Sequence, residues 1–236
     1  MKLHRGTVQC YDCGQQVAEL KEHRAVCANS RKNRSAVAAA KSGPKVSKKR
    51  GKPEDGKTAF VVVDVSGSMA GPKLEAAKEA LTQCFNAMQD SDRFSIVTFD
   101  TGAFFKLKPR PVEQLKRQNE LPSTLDRIFA RGGTALYDAI WITVEQIHRK
   151  DVPNVITVLT DGEDNASKHT LDQVLAMLKE YPNIKLDIVH IDGSGKRLAA
   201  FESLVGDGRG EYVVITETKE VIIEVTTKVF VKAYSH

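Results

Sequence analysis

Residues 58–81 read TAFVVVDVSGSMAGPKLEAAKEAL, and the order of side chains in this stretch decides the fold. Thr58 to Val65 is a short, β-branched, continuously apolar run, the pattern of a strand buried on both faces. Leu74, Ala77, Leu81, Phe85 and Met88 then recur at helical spacing behind Pro72, a residue suited to a helix start. A buried strand, a polar turn and an amphipathic helix form the unit from which parallel sheets are built. The unit recurs along the chain. Strands are expected at RFSIVTFD (93–100), an edge-like AFFKLK (103–108), NVITVLTDG (154–162), IKLDIVHID (184–192) and EYVVIT (211–216). Helices are expected through Leu136, Ile140, Thr143 and Ile147, through Leu171, Val174, Leu175 and Leu178, and around Leu198 to Val205. Residues 217–234 are β-branched, but their length and the Val221, Val225, Val229 spacing favour a closing helix. The expected fold is α/β: a doubly wound, mostly parallel, six-stranded sheet with helices on both faces and right-handed crossovers, Rossmann-like in layout.

The chain has 236 residues, 41% hydrophobic and 28% charged, enough for one substantial core and a small appendage. Its net charge of +5 is unevenly spread. Residues 1–57 hold 14 Lys/Arg against 5 Asp/Glu, and residues 58–236 hold 21 against 25. Between Asn29 and Lys57 large apolar residues almost vanish, so this part cannot bury enough surface to offset its ordering entropy. The expected organisation is a small module at 1–30, a flexible basic linker at 31–57 and the main domain at 58–236. No run of 18 apolar residues exists, and MKLHRGTVQC offers no apolar stretch for a secretion signal. Three of the four cysteines crowd into residues 10–27. These features predict no membrane span and an intracellular protein, cytoplasmic or nuclear, in a reducing compartment.

In doubly wound sheets ligands gather beyond the carboxyl ends of the strands, where the strand order reverses. Three polar clusters fall at such places. The first strand runs into Asp64-Val65-Ser66-Gly67-Ser68, a later one into Thr160-Asp161-Gly162, and Gly132-Gly133-Thr134 opens a helix. Each cluster alone reads as an ordinary turn or helix cap. Together they bring hydroxyl and carboxylate oxygens with no His or Cys, a donor set suited to Mg²⁺ or Mn²⁺.

The segments VVVDVSGSM (61–69), RGGTALYDAI (131–140) and VITVLTDGEDN (155–165) resemble the three pieces of the metal-ion-dependent adhesion site (MIDAS) of von Willebrand factor A domains. The likeness extends over about residues 58–234. It implies that Ser66, Ser68 and Thr134 ligate Mg²⁺ through their hydroxyls. By the same resemblance Asp64 and Asp161 would act largely through bound waters, or one of them directly. It also implies that a Glu or Asp carboxylate of a partner protein completes the shell. Glu163 and Asp164 follow on the same rim, as solvated loop acids or as groups that tune which partners approach.

The N-terminal module reads Cys10-x2-Cys13-x9-His23-x3-Cys27, four ligands at spacings that close a tetrahedron round Zn²⁺. A hairpin holding Cys10 and Cys13, followed by a helix from about Val17 to Cys27, is expected. The pattern is similar to small Cys-Cys-His-Cys fingers, including the ubiquitin-binding kind, although the nine-residue gap is shorter than theirs. His4 is expected in an exposed tail, Cys84 packed in the first helix of the main domain, and His190 satisfied in a core strand. Lys45 to Lys57 fits a nuclear import signal, a nucleic-acid contact or a solvated linker.

The leading expectation is therefore a non-enzymatic binding module. Its Mg²⁺-loaded domain captures an acidic residue of a partner, and its finger recruits a second partner, ubiquitin or nucleic acid. A nucleic-acid protein acting through the finger and linker is one alternative. A metal-dependent hydrolase is another, disfavoured because no Lys or Arg accompanies the motif to stabilise a developing phosphoryl charge.

Overall fold

The computed structural model describes residues 8–9, 16–17, 56–147, 152–206, 208–216 and 218–235. The chain divides into two compact units, Met1–Gly51 and Lys52–His236. In the first, β1 (Val8–Gln9) pairs antiparallel with β2 (Gln16–Val17), Val8 opposite Val17 and Gln9 opposite Gln16. This pair brackets the Cys10 to Cys13 segment. Val17 is strand, so the helix expected from about that residue does not begin there. Cys10, Cys13, His23 and Cys27, the four expected Zn²⁺ ligands, lie outside the described residues, as does His4.

The second unit is built on β3 (Thr58–Asp64), every residue of which is buried. Along β3 the side chains alternate between two cores, as strand geometry requires. Ala59, Val61 and Val63 join one core with Leu81 and Phe85 of α1 (Pro72–Asn86). Phe60 and Val62 join the other. The remaining strands are β4 (Arg93–Phe99), β5 (Ala103–Pro111), β6 (Asn154–Thr160), β7 (Ile184–Ile191) and β8 (Tyr212–Ile215). Their order is β5-β4-β3-β6-β7-β8, parallel except for the antiparallel edge strand β5. From β3 the chain winds outward to β4 and β5, then returns to the other side through β6, β7 and β8. The order therefore reverses between β3 and β6, which places the crevice beyond Asp64 and Thr160.

Two short helices, α2 (Val112–Gln118) and α3 (Glu120–Leu125), follow the edge strand where no element was expected. Asn119 separates them in the left-handed conformation, φ 48°, a conformation Asn adopts readily at helix ends. The helices α4 (Leu136–Glu145), α5 (Leu171–Lys179) and α6 (Ala199–Val205) supply Leu136, Ile140, Val174 and Phe201 to the second core. The closing helix α7 (Lys219–Ser235) packs on α1 and gives Ile222, Val229 and Phe230 to the first. No helix among the described residues is long and apolar enough to cross a membrane.

Cys84 is buried in α1, and burial pushes its thiol up to about 12. His190 is a core residue whose Nδ1 lies 3.0 Å from the Tyr212 hydroxyl. That hydroxyl accepts from Leu198 N–H at 3.1 Å, which leaves its proton for the imidazole. Burial also holds His190 below the usual histidine range, so the neutral ring is the favoured form.

Phe230, on α7, is fully buried in the first core. Phe230→Ala should lower stability by about 3–5 kcal/mol, seen as a lower urea midpoint with an unchanged slope.

Candidate metal centre

Asp64 closes β3 with a fully buried carboxylate. Its Oδ1 accepts from Ser66 N–H at 2.7 Å, and its Oδ2 accepts from the Thr160 hydroxyl, at the end of β6, at 2.6 Å. Burial raises the carboxyl above its ordinary value, opposed by hydrogen bonds from the Ser66 hydroxyl, the Thr160 hydroxyl and Ser66 N–H, with the Asp161 charge adding to the rise. Ser66 is extended, and the chain then tightens into a 3₁₀ turn at Gly67–Met69. That turn sets the Ser66 and Ser68 hydroxyl oxygens 3.0 Å apart. Ser68 Oγ donates to Asp161 Oδ1 at 2.7 Å, tying the turn to the loop after β6.

Thr134 arrives from the other loop. Arg131 N–H donates to Val65 O at 2.7 Å and Gly67 N–H to Gly132 O at 3.1 Å, stitching the two loops together. Thr134 N–H donates to Asn165 Oδ1 at 2.9 Å, and its carbonyl accepts from Asn165 N–H at 2.9 Å. Its side-chain oxygen faces Gly162, where an added Cβ would sit 3.9 Å away. The glycines before it are required by space. Gly132 has φ +69°, and a Cβ there would lie 2.6 Å from Thr101 Oγ1; at Gly133 it would lie 2.9 Å from Asn165 Oδ1. Hydrogen bonds thus join Asp64, Ser66, Ser68 and Asp161 across two segments, and Thr134 of a third segment reaches the same β6 loop at Gly162.

The expectation that no basic residue accompanies the motif is corrected by Lys73. Its Nζ donates to Asp161 Oδ2 at 2.7 Å, and the Asp161 side chain is 1% exposed. A cation is therefore already accommodated at this carboxylate. The side chains of these five residues offer oxygen donors alone, which fits a hard divalent ion.

Asp164 also departs from the rim reading. It turns inward, accepting from Tyr137 N–H at 3.1 Å in the first turn of α4 and from the Ser167 hydroxyl. It acts as a helix cap supplied from a neighbouring loop. Glu163 remains exposed, with Lys196 Nζ 3.8 Å away. Sequence reasoning named Thr160 only as part of its cluster and gave no role to it, to Asn165 or to Asp100. Asp100 accepts from Arg131 Nε at 2.8 Å and its carbonyl from Ala135 N–H at 2.7 Å, bracing the Thr134 loop. The signal for Thr160 is a hydroxyl residue beside Asp161 at a strand end; for the others the sequence carries none.

Residues 59–163 match the family model of the von Willebrand factor type A domain. The body of the chain has the von Willebrand factor type A fold. A von Willebrand factor type A structure from Catenulispora acidiphila superposes with a TM-score of 0.65 at 20% identity, covering 76% of this chain and 43% of that one. Proximal thread matrix protein 1 of the mussel byssus, solved with a zinc occupied MIDAS motif, gives 0.61 at 18% identity over 76% and 46%. Among sequences, a von Willebrand factor A domain-containing protein of Dictyostelium discoideum is 32% identical over 125 residues, 51% of this chain and 13% of its own length. The mouse inter alpha-trypsin inhibitor heavy chain 4 is 30% identical over 120 residues, 47% and 13%. The matched stretch thus spans about an eighth of these relatives.

If Asp164 caps α4, Asp164→Ala should cost about 1–2 kcal/mol of stability, whereas Glu163→Ala should stay within about 0.5 kcal/mol of the parent in urea denaturation.

Proposed function

We propose that the chain is a divalent-cation-dependent protein-binding module. The observation that carries this reading is the convergence of three hydroxyls and two carboxylates at the point where the strand order reverses. Ser66, Ser68 and Thr134 would hold Mg²⁺ or Mn²⁺ through their hydroxyls, with Asp64 and Asp161 acting through waters or one of them directly. The zinc occupied MIDAS motif of the mussel protein supports a divalent ion at this place in the fold. A bound ion of this kind supplies an electrophile with a position open to an outside carboxylate.

The residues of this chain do the remaining work. Asp64 fixes the Ser66 backbone, Ser66 orients Ser68, and Ser68 ties the turn to the β6 loop. Few of the donors carry charge, so a partner's Glu or Asp carboxylate gains a charge-assisted bond that water does not match. A non-catalytic role is supported by Asp64, which is fully buried with a hydrogen bond on each oxygen, a position that shields it from a substrate it would have to attack. Lys73 supplies the positive group a hydrolase would need, but its Nζ is committed to Asp161. In the same reading Cys10, Cys13, His23 and Cys27 hold Zn²⁺ in a finger that recruits a second intracellular partner, ubiquitin or nucleic acid.

The test is titration calorimetry with Mg²⁺, together with affinity capture in Mg²⁺ and in EDTA. The wild type should bind Mg²⁺ and show captured proteins that EDTA releases. Ser68→Ala should lose both while keeping its circular dichroism spectrum, because Ser68 lies at the sheet's rim. Mg²⁺ affinity unchanged in Ser68→Ala would contradict the assignment.

A further inference from the structure

Lys73 is the second residue of α1, where the partial positive charge of a helix N-terminus disfavours a cation. It follows Gly71, at φ +83°, and Pro72, which together start the helix directly behind the Ser66 to Met69 turn. From there the side chain, 19% exposed, reaches the β6 loop and places Nζ 2.7 Å from Asp161 Oδ2. Of the two carboxylates, Asp161 is the one that already meets a side-chain cation. Its Oδ1 takes the Ser68 proton and its Oδ2 takes Lys73, so an incoming ion meets a carboxylate already neutralised.

We propose that Lys73 is an internal competitor for Asp161 that holds down the site's affinity for free divalent ion. This rests on the reading of the crevice as a metal centre. Asp64 and Asp161 carry a formal charge of −2, reduced to −1 by Lys73. A divalent ion then leaves the loaded site at +1, which a single outside carboxylate brings to neutrality. Without Lys73 the loaded site is neutral and draws a carboxylate less strongly. Lys73 thereby links tight retention of the ion to the presence of the partner's acid.

The experiment titrates the full-length chain with Mg²⁺ alone by calorimetry, as wild type, Lys73→Met and Lys73→Arg. Lys73→Met should bind Mg²⁺ at least about tenfold more tightly, and Lys73→Arg should match the wild type. In EDTA the Met variant should melt lower, since its buried Asp161 loses a partner, and Mg²⁺ should raise its Tm more than that of the wild type. Lys73→Gln, which keeps a donor for Asp161 without the charge, takes its place if the Met variant fails to fold. Tighter binding is not what a purely structural role for Lys73 gives. Wild type that binds Mg²⁺ beside a charge-free variant that binds equally or less tightly overturns the competitor role alone. No Mg²⁺ binding by any of the proteins overturns the metal-centre reading and this inference with it.

Discussion

A carboxylate buried at the end of a central strand is costly unless donors meet its oxygens. Asp64 meets this constraint with one donor from its own loop, Ser66 N–H, and one from a neighbouring strand, the Thr160 hydroxyl. The second bond joins the carboxyl ends of β3 and β6 at the point where the sheet changes direction. The first fixes the turn that carries both serines. From these two bonds the Ser66, Ser68, Asp161 and Lys73 contacts follow in series, each group held by the one before it.

The facing loop is held as tightly by different means. It has no strand to continue, so backbone bonds to Val65, Gly67 and Asp100 replace a ladder, and Asn165 clamps Thr134 from the far side. Two consecutive glycines let it approach Thr101 and Asn165 more closely than any side chain would allow. A loop in this state can present a hydroxyl at a defined place without a bound ligand to order it.

Most of the main domain was legible in its sequence, because strands buried on both faces leave an unmistakable apolar run and the polar residues that end them stand out. Thr58–Asp64, Asn154–Thr160 and Ile184–Ile191 are of this kind. The pair α2 and α3 was not, since helices of seven and six residues, one with Pro122 inside, show too little periodicity. The site divided the same way. Asp64, Ser66, Ser68, Thr134 and Asp161 sit at element ends that the pattern marks. Lys73 was given no part and Asp164 was placed on the rim, because their roles depend on loops brought beside them from 88 and 27 residues away. The competitor lysine is thus visible only once helix, turn and β6 loop are placed together.

The central claim, that hydroxyls of Ser66, Ser68 and Thr134 face a common divalent ion, is tested most directly by a crystal structure grown in Mn²⁺ with anomalous data. The account predicts a single strong anomalous peak at direct coordination distance from all three hydroxyl oxygens. It is contradicted by a structure at millimolar Mn²⁺ with no peak among them and the Ser66, Ser68 and Asp161 hydrogen bonds unchanged.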